Sequence, residues 1–172
     1  MSYCQIIEFR NGKATYGPEF RNAWGGAAFI WDALFNKYIK DPMREYHTWV
    51  TDEKPLWALA KRKDLPMFER VALAATFDWA LVMWVNFKTF ASDIRTFVAA
   101  HPEGNKVCHL SQWADFIEKS DADAIGFHHT SVSENPWFTL DEEKEEDVPY
   151  DISTGEEHWD IYSELNKTDG GD

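Results

Sequence analysis

Pro66–Ala100, PMFERVALAATFDWALVMWVNFKTFASDIRTFVAA, is the longest apolar-rich stretch of the chain, and the remaining elements must cover it. Its second half sets Phe87, Phe90, Ala91, Ile94, Phe97 and Val98 at the i, i+3, i+4, i+7 spacing of a helix that buries one face, with Lys88, Asp93 and Arg95 turned outward. Its first half is apolar almost all round. Residues 71–87 carry Asp78 as their single charge, so this part is expected to be enclosed, with a bend near Met83–Asn86 where the pattern changes phase. The expectation is a mainly α fold: a single helical domain of about six helices around this stretch, with a small N-terminal β-hairpin and an acidic C-terminal segment.

Outward from that stretch, YCQIIEFRNGKATY at residues 3–16 places Asn11-Gly12 between two strand-like runs. This dipeptide suits a tight type I′ turn, whose two central residues both need positive φ. Ile7, Phe9 and Tyr16 are expected to face the body, because a lone hairpin is marginal in water. Asn22 can cap a helix carrying Trp24, Ala27, Ala28, Trp31, Leu34, Phe35 and Tyr38 at helical spacing, ended by Asp41-Pro42. Met43–Thr51 reads as a loop anchored by Tyr46 or Trp49, and Pro55 begins a short helix ending in Lys61-Arg62-Lys63. Ser111 can cap a helix bearing Trp113, Phe116 and Ile117; a turn from Asp121 stops at Gly126, and Phe127–Asn135 shows no strong period.

A chain of 172 residues with 44% hydrophobic content and nine tryptophans holds one core, which excludes disorder throughout. Cys4 and Cys108 make no disulfide framework, and Glu8, Arg10, Lys13 and Glu19 stand where a signal peptide needs an apolar run, so a cytoplasmic setting is expected. The net charge of −13 is unevenly placed: residues 1–133 carry 16 acidic against 15 basic side chains, and residues 134–172 carry 14 against 2. The chain thus divides into a nearly neutral helical body, 1–133, and an acidic, partly docked C-terminal segment, 134–172. Such a segment repels nucleic acid and membrane phosphates and attracts basic protein surfaces.

The candidates for chemistry are thin. His47, His101, His109, His128, His129, His158 and Cys108 are metal-ligating types, but they form no ligand spacing such as C-x-x-C or H-E-x-x-H, so no metal or other cofactor is expected. Cys108, His128 and Asp115 could be assembled on paper as a nucleophile, base and orienting acid, without any motif behind the choice, and no catalytic residue is assigned. Lys61-Arg62-Lys63 is what a helix C-terminus favours anyway, and Trp24, Trp31, Trp79 and Trp84 read first as core.

The acidic run is the candidate site: Asp141, Glu142, Glu143, Glu145, Glu146 and Asp147, with Asp151, Glu156, Glu157 and Asp160 behind it. Its plainest reading is a solvated face that aids solubility. Trp137, Phe138, Val148, Tyr150, Ile152, Trp159, Tyr162 and Leu165 punctuate these charges, however, and a purely solvated tail has little use for aromatics. LDEEKEEDV is expected as an exposed loop, followed by a docked helix capped by Ser153 with Glu156 or Thr154 with Glu157. The sharper reading is a polyanionic surface held by aromatic anchors, with carboxylates spaced much like backbone phosphates, that binds a basic nucleic-acid-binding partner.

FRNAWGGAAFIWDALF and PMFERVALAATFDWALV, within Phe20–Phe97, resemble stretches of small phage and prophage accessory proteins. That resemblance implies no residue roles. It implies that an acidic chain of this kind acts as a DNA mimic against a host defence nuclease. The expectation is a non-enzymatic interaction protein; the alternative is a small enzyme or ligand binder with a pocket among the aromatics and histidines.

Overall fold

The computed structural model describes residues 2–22, 26–39, 54–102, 109–129 and 134–167. In chain order the elements are β1 (Ser2–Arg10), β2 (Lys13–Asn22), α1 (Gly26–Tyr38), α2 (Lys54–Lys61), α3 (Met67–Ala74), β3 (Ala80–Met83), a 3-10 turn (Trp84–Asn86), α4 (Phe87–Ala100), α5 (Leu110–Ile117), β4 (Ala124–His129), β5 (Phe138–Asp141), β6 (Glu146–Pro149), β7 (Trp159–Asp160) and α6 (Ile161–Leu165). With 43% of the described residues in helix and 28% in strand, the fold is mixed α/β and not mainly α.

The correction comes from two buried strands. Ala80, Leu81 and Val82 are fully buried in the middle of the sheet, between β4 (antiparallel) and the short β7 (parallel). A strand covered on both faces loses the alternation that marks strands in sequence, and four apolar residues then look like one more turn of a buried helix. The same holds for β4, AIGFHH, which lies between β1 and β3 and had no legible period. The five strands run in the order β2-β1-β4-β3-β7. Asn11 (φ 51°) and Gly12 (φ 83°) make the expected positive-φ turn between β1 and β2. Asn22 pairs with Ser2 as the last residue of β2, and the described part of α1 begins at Gly26.

The sheet has two unlike faces. On one, Cys4, Ile6, Ala80, Val82, Ile125 and Phe127 share a core with all six of the described helices, including Phe90, Ile94 and Phe97 of α4, the face its periodicity assigned. On the other, Ile7, Phe9, Leu81 and Ala124 are covered by Trp137, Tyr150 and Ile152 from the C-terminal segment. Ile7 and Phe9 are therefore inward as expected; Tyr16 is not, being 54% exposed.

Two buried charges on α3 tie the helical layer together. Glu69 accepts from Lys37 Nζ (2.8 Å), Tyr38 Oη and His101 Nε2 (3.1 Å), linking α1, α3 and the end of α4. Burial pushes its carboxyl up, but those donors outweigh burial and hold it below the usual range. Arg70 donates to the Ala60 and Leu165 carbonyls, each at 2.8 Å, and so fixes the C-terminal ends of α2 and α6.

Candidate interaction surface

The acidic segment is mounted on the second sheet face by Trp137. Asn135 Oδ1 accepts the Trp137 N–H (3.0 Å), which turns the chain into the sheet. The indole is fully buried, meets Phe9 edge-on at 5.0 Å, and donates Nε1–H to the Phe127 carbonyl at 2.9 Å. Gly126 makes the room: a Cβ there would lie 2.8 Å from the indole Cζ2. Trp79 and Tyr150 complete an aromatic cluster around Trp137, with centroids 5.3 and 5.7 Å away.

From that anchor the chain forms a hairpin, not the open loop expected. Phe138 pairs with Pro149, Thr139 with Val148, Leu140 with Asp147 and Asp141 with Glu146. The Tyr150 N–H donates to the Trp137 carbonyl at 2.8 Å and closes the base. Ala14 N–H to Tyr150 O (2.9 Å) and Ile152 N–H to Gly12 O (2.8 Å) fasten the return strand to the β1–β2 hairpin. Tyr16 stacks on Phe138 at 4.0 Å and 9°, and its hydroxyl donates to Asp147 Oδ2 at 3.0 Å. The tip, Glu142–Glu145, ends with Glu145 in the left-handed region (φ 54°).

The ten predicted carboxylates sort into two kinds. Asp141 accepts the Glu143 and Lys144 N–H groups and pairs with Lys144 Nζ; Asp151 accepts from Ser153; Glu157 accepts the Tyr150 hydroxyl (3.0 Å). Asp160 caps α6 through Ser163 N–H (2.8 Å), where the sequence had suggested Ser153 or Thr154. With Asp147 on Tyr16, these five hold local structure. Hydrogen bonds from Ser153 hold Asp151 below the usual carboxylate range, and the Glu157 and Tyr150 donors do the same for Glu157. Glu142, Glu143, Glu145, Glu146 and Glu156 are exposed, and their carboxylates have no partner among the described residues. Asp141–Asp147 come together on the hairpin, Asp151, Glu156 and Glu157 lie near its base, and Asp160 sits apart at the end of β7.

Comparison with protein-family models, curated proteins and solved structures finds no match. Function therefore rests on the geometry.

The histidines do not converge. His101 serves Glu69, and His158 Nδ1 meets the Tyr150 hydroxyl at 3.1 Å. His129 is buried with Nε2 on the Ala75 carbonyl (3.1 Å), and burial pulls its pKa down to about 4. His128 precedes it in β4 and so belongs to the opposite sheet face. Among the described residues no three of His, Cys, Asp and Glu are placed to hold a metal ion. His47 and Cys108 lie outside the described residues, as do Trp24 and the Met43–Thr51 segment. Asp115 is taken by Arg95 (2.8 Å), and Lys61 by Glu164 (3.2 Å). No helix among the described residues is long and apolar enough to cross a membrane.

Sequence reasoning missed the exposed pair Trp84 and Val85, each 66% exposed, beside a groove of about 530 Å³ bordered by Glu118, Asp121 and Asp123. They lie in the 3-10 turn at Trp84–Asn86, where the change of phase in the apolar pattern marks a bend, but their apolar character assigns them to the enclosed part.

Proposed function

We propose that this chain is a non-enzymatic interaction protein that presents the β5–β6 hairpin to a basic, nucleic-acid-binding surface of a partner protein in the cytoplasm. The observation that carries the reading is a fixed polyanion: residues 141–147 hold six carboxylates against Lys144, a net −5, on a hairpin clamped at its base to the sheet. The charge is gathered at the distal end of the hairpin, since Phe138, Thr139, Leu140, Val148 and Pro149 at its base are uncharged. Duplex DNA is likewise a dense array of fixed negative charge, one per about 1.7 Å, and a basic surface built to meet it also suits this cluster. Solubility alone requires no such clamp. That the partner is a defence nuclease rests on the resemblance to phage accessory proteins and not on this geometry.

The test uses immobilised protein offered to a lysate of the cells in which it acts, beside a variant with Glu142, Glu143, Glu145 and Glu146 all changed to Gln. The reading expects a nucleic-acid-binding protein that is captured only by the unaltered bait and is released by added salt and by duplex DNA. Capture of the same proteins by both baits, or captured proteins that DNA does not displace, would rule it out.

A further inference from the structure

The acidic hairpin is not uniformly polar. Three of the five large apolar side chains exposed among the described residues, Tyr16 (54%), Leu140 (60%) and Val148 (49%), sit on it or against it, the other two being Trp84 and Val85. Phe138 and Leu140 are two residues apart in β5 and share one face, and Asp147 is the cross-strand partner of Leu140. Tyr16 touches this same face twice, through its stack on Phe138 and its hydrogen bond to Asp147. The result is an apolar strip, Tyr16–Phe138–Leu140, bordered by Asp147 and by the unpartnered carboxylates of the tip. A hairpin that only kept the chain dissolved, or only guarded its open strand edges, would gain from a polar residue at 140.

We propose that this strip is the apolar anchor of the interaction surface, and that it selects a protein segment in which apolar side chains alternate with Lys or Arg. The inference rests on the acidic-surface reading above and adds that charge alone does not define the partner. Charge complementarity fixes the occupant: a second copy of this chain would set one net −5 hairpin against another, whereas a cationic segment can place its guanidinium groups on the tip carboxylates and its apolar side chains on Leu140 and the Tyr16 ring. Exposed aromatic and aliphatic anchors framed by charge are the usual form of a binding hot spot.

Two hexapeptides of equal charge serve as probes, one alternating leucine with arginine and the other serine with arginine. Each is titrated into the full ¹⁵N-labelled chain and followed by amide shifts. The leucine peptide is expected to bind about tenfold more tightly and to move the Tyr16 and Leu140 amides, and Leu140→Ser should reduce it to the level of the serine peptide. Equal affinity of the two peptides, or a preference that survives Leu140→Ser in a chain with an otherwise unchanged spectrum, would overturn the inference. If both bind equally and the four-glutamine variant weakens both, the apolar anchor falls and the acidic reading stands. If neither peptide moves hairpin amides, both fall.

Discussion

Gly126→Ala tests how the acidic segment is held. The added Cβ would lie 2.8 and 2.9 Å from Trp137 Cζ2 and Cε2 and 3.2 Å from Phe9 Cε2. All three are ring atoms of fully buried side chains, so none can swing aside as the end of a flexible chain could. Overpacking of this kind costs about 1 to 3 kcal/mol, and the reduced freedom of the unfolded chain returns about 0.5, leaving a net loss of about 0.5 to 2.5 kcal/mol. Trp137→Ala alone should cost about 3 to 5 kcal/mol, because it empties a buried indole site and orphans the Phe127 carbonyl. The decisive quantity is the coupling. With the indole gone the Gly126→Ala penalty should nearly vanish, giving a coupling of about 0.5 to 2.5 kcal/mol in a double-mutant cycle read by urea denaturation. An unchanged penalty in the Trp137→Ala background would mean that Trp137 does not rest on Gly126, and the mounting of the hairpin would have to be rethought.

His129 should make stability pH-dependent. Its pKa is lowered by burial to about 4, while the unfolded chain takes up the proton near 6.5, so its contribution is complete above about pH 6.5 and declines as pH falls toward 4. The loss between pH 7 and 5 should be about 2 kcal/mol, and His129→Phe should remove that slope from urea midpoints. Glu69 is held below the usual carboxylate range, so its contribution is present above about pH 4.5 and is lost on further acidification. Glu69→Gln should cost about 3 kcal/mol at pH 7 and flatten the acid limb of the stability curve, both measurable by denaturation. Glu145→Gly should raise stability by about 0.5 to 1 kcal/mol, since the left-handed backbone at φ 54° suits glycine, and a lower melting temperature would contradict the tip geometry.

Legibility followed exposure. The β1–β2 hairpin could be read because Asn11-Gly12 states its own backbone requirement, and α4 because one side faces water, which preserves the helical period of Phe90, Ile94 and Phe97. β3 and β4 could not be read, because Ala80–Val82 and Ala124–Phe127 are buried on both sides and no polar residue marks the alternation. Gly126, which reads as a stop, is an interior strand position left bare for Trp137. The acidic positions were visible as charge, but their roles were not. Asp141, Asp151 and Asp160 accept turn and cap N–H groups, which the short Asp side chain can reach, whereas all five unpartnered carboxylates belong to Glu, and that difference is the signal the charge count passed over. The C-terminal segment also cannot be tested by truncation after Leu140, since that would remove Tyr150, Ile161 and Leu165 from the core.

The acidic-surface account is tested most directly by the affinity of the captured partner for the unaltered chain and for the variant with Glu142, Glu143, Glu145 and Glu146 changed to Gln, across a salt series and beside melting curves of both chains. These four carboxylates have no partner to lose, so the melting temperature should be equal or slightly higher as self-repulsion is relieved. Affinity should fall at least about tenfold, with a shallower dependence on salt. An unchanged affinity and an unchanged salt dependence in a chain that melts normally would contradict the account and leave the hairpin a device for solubility.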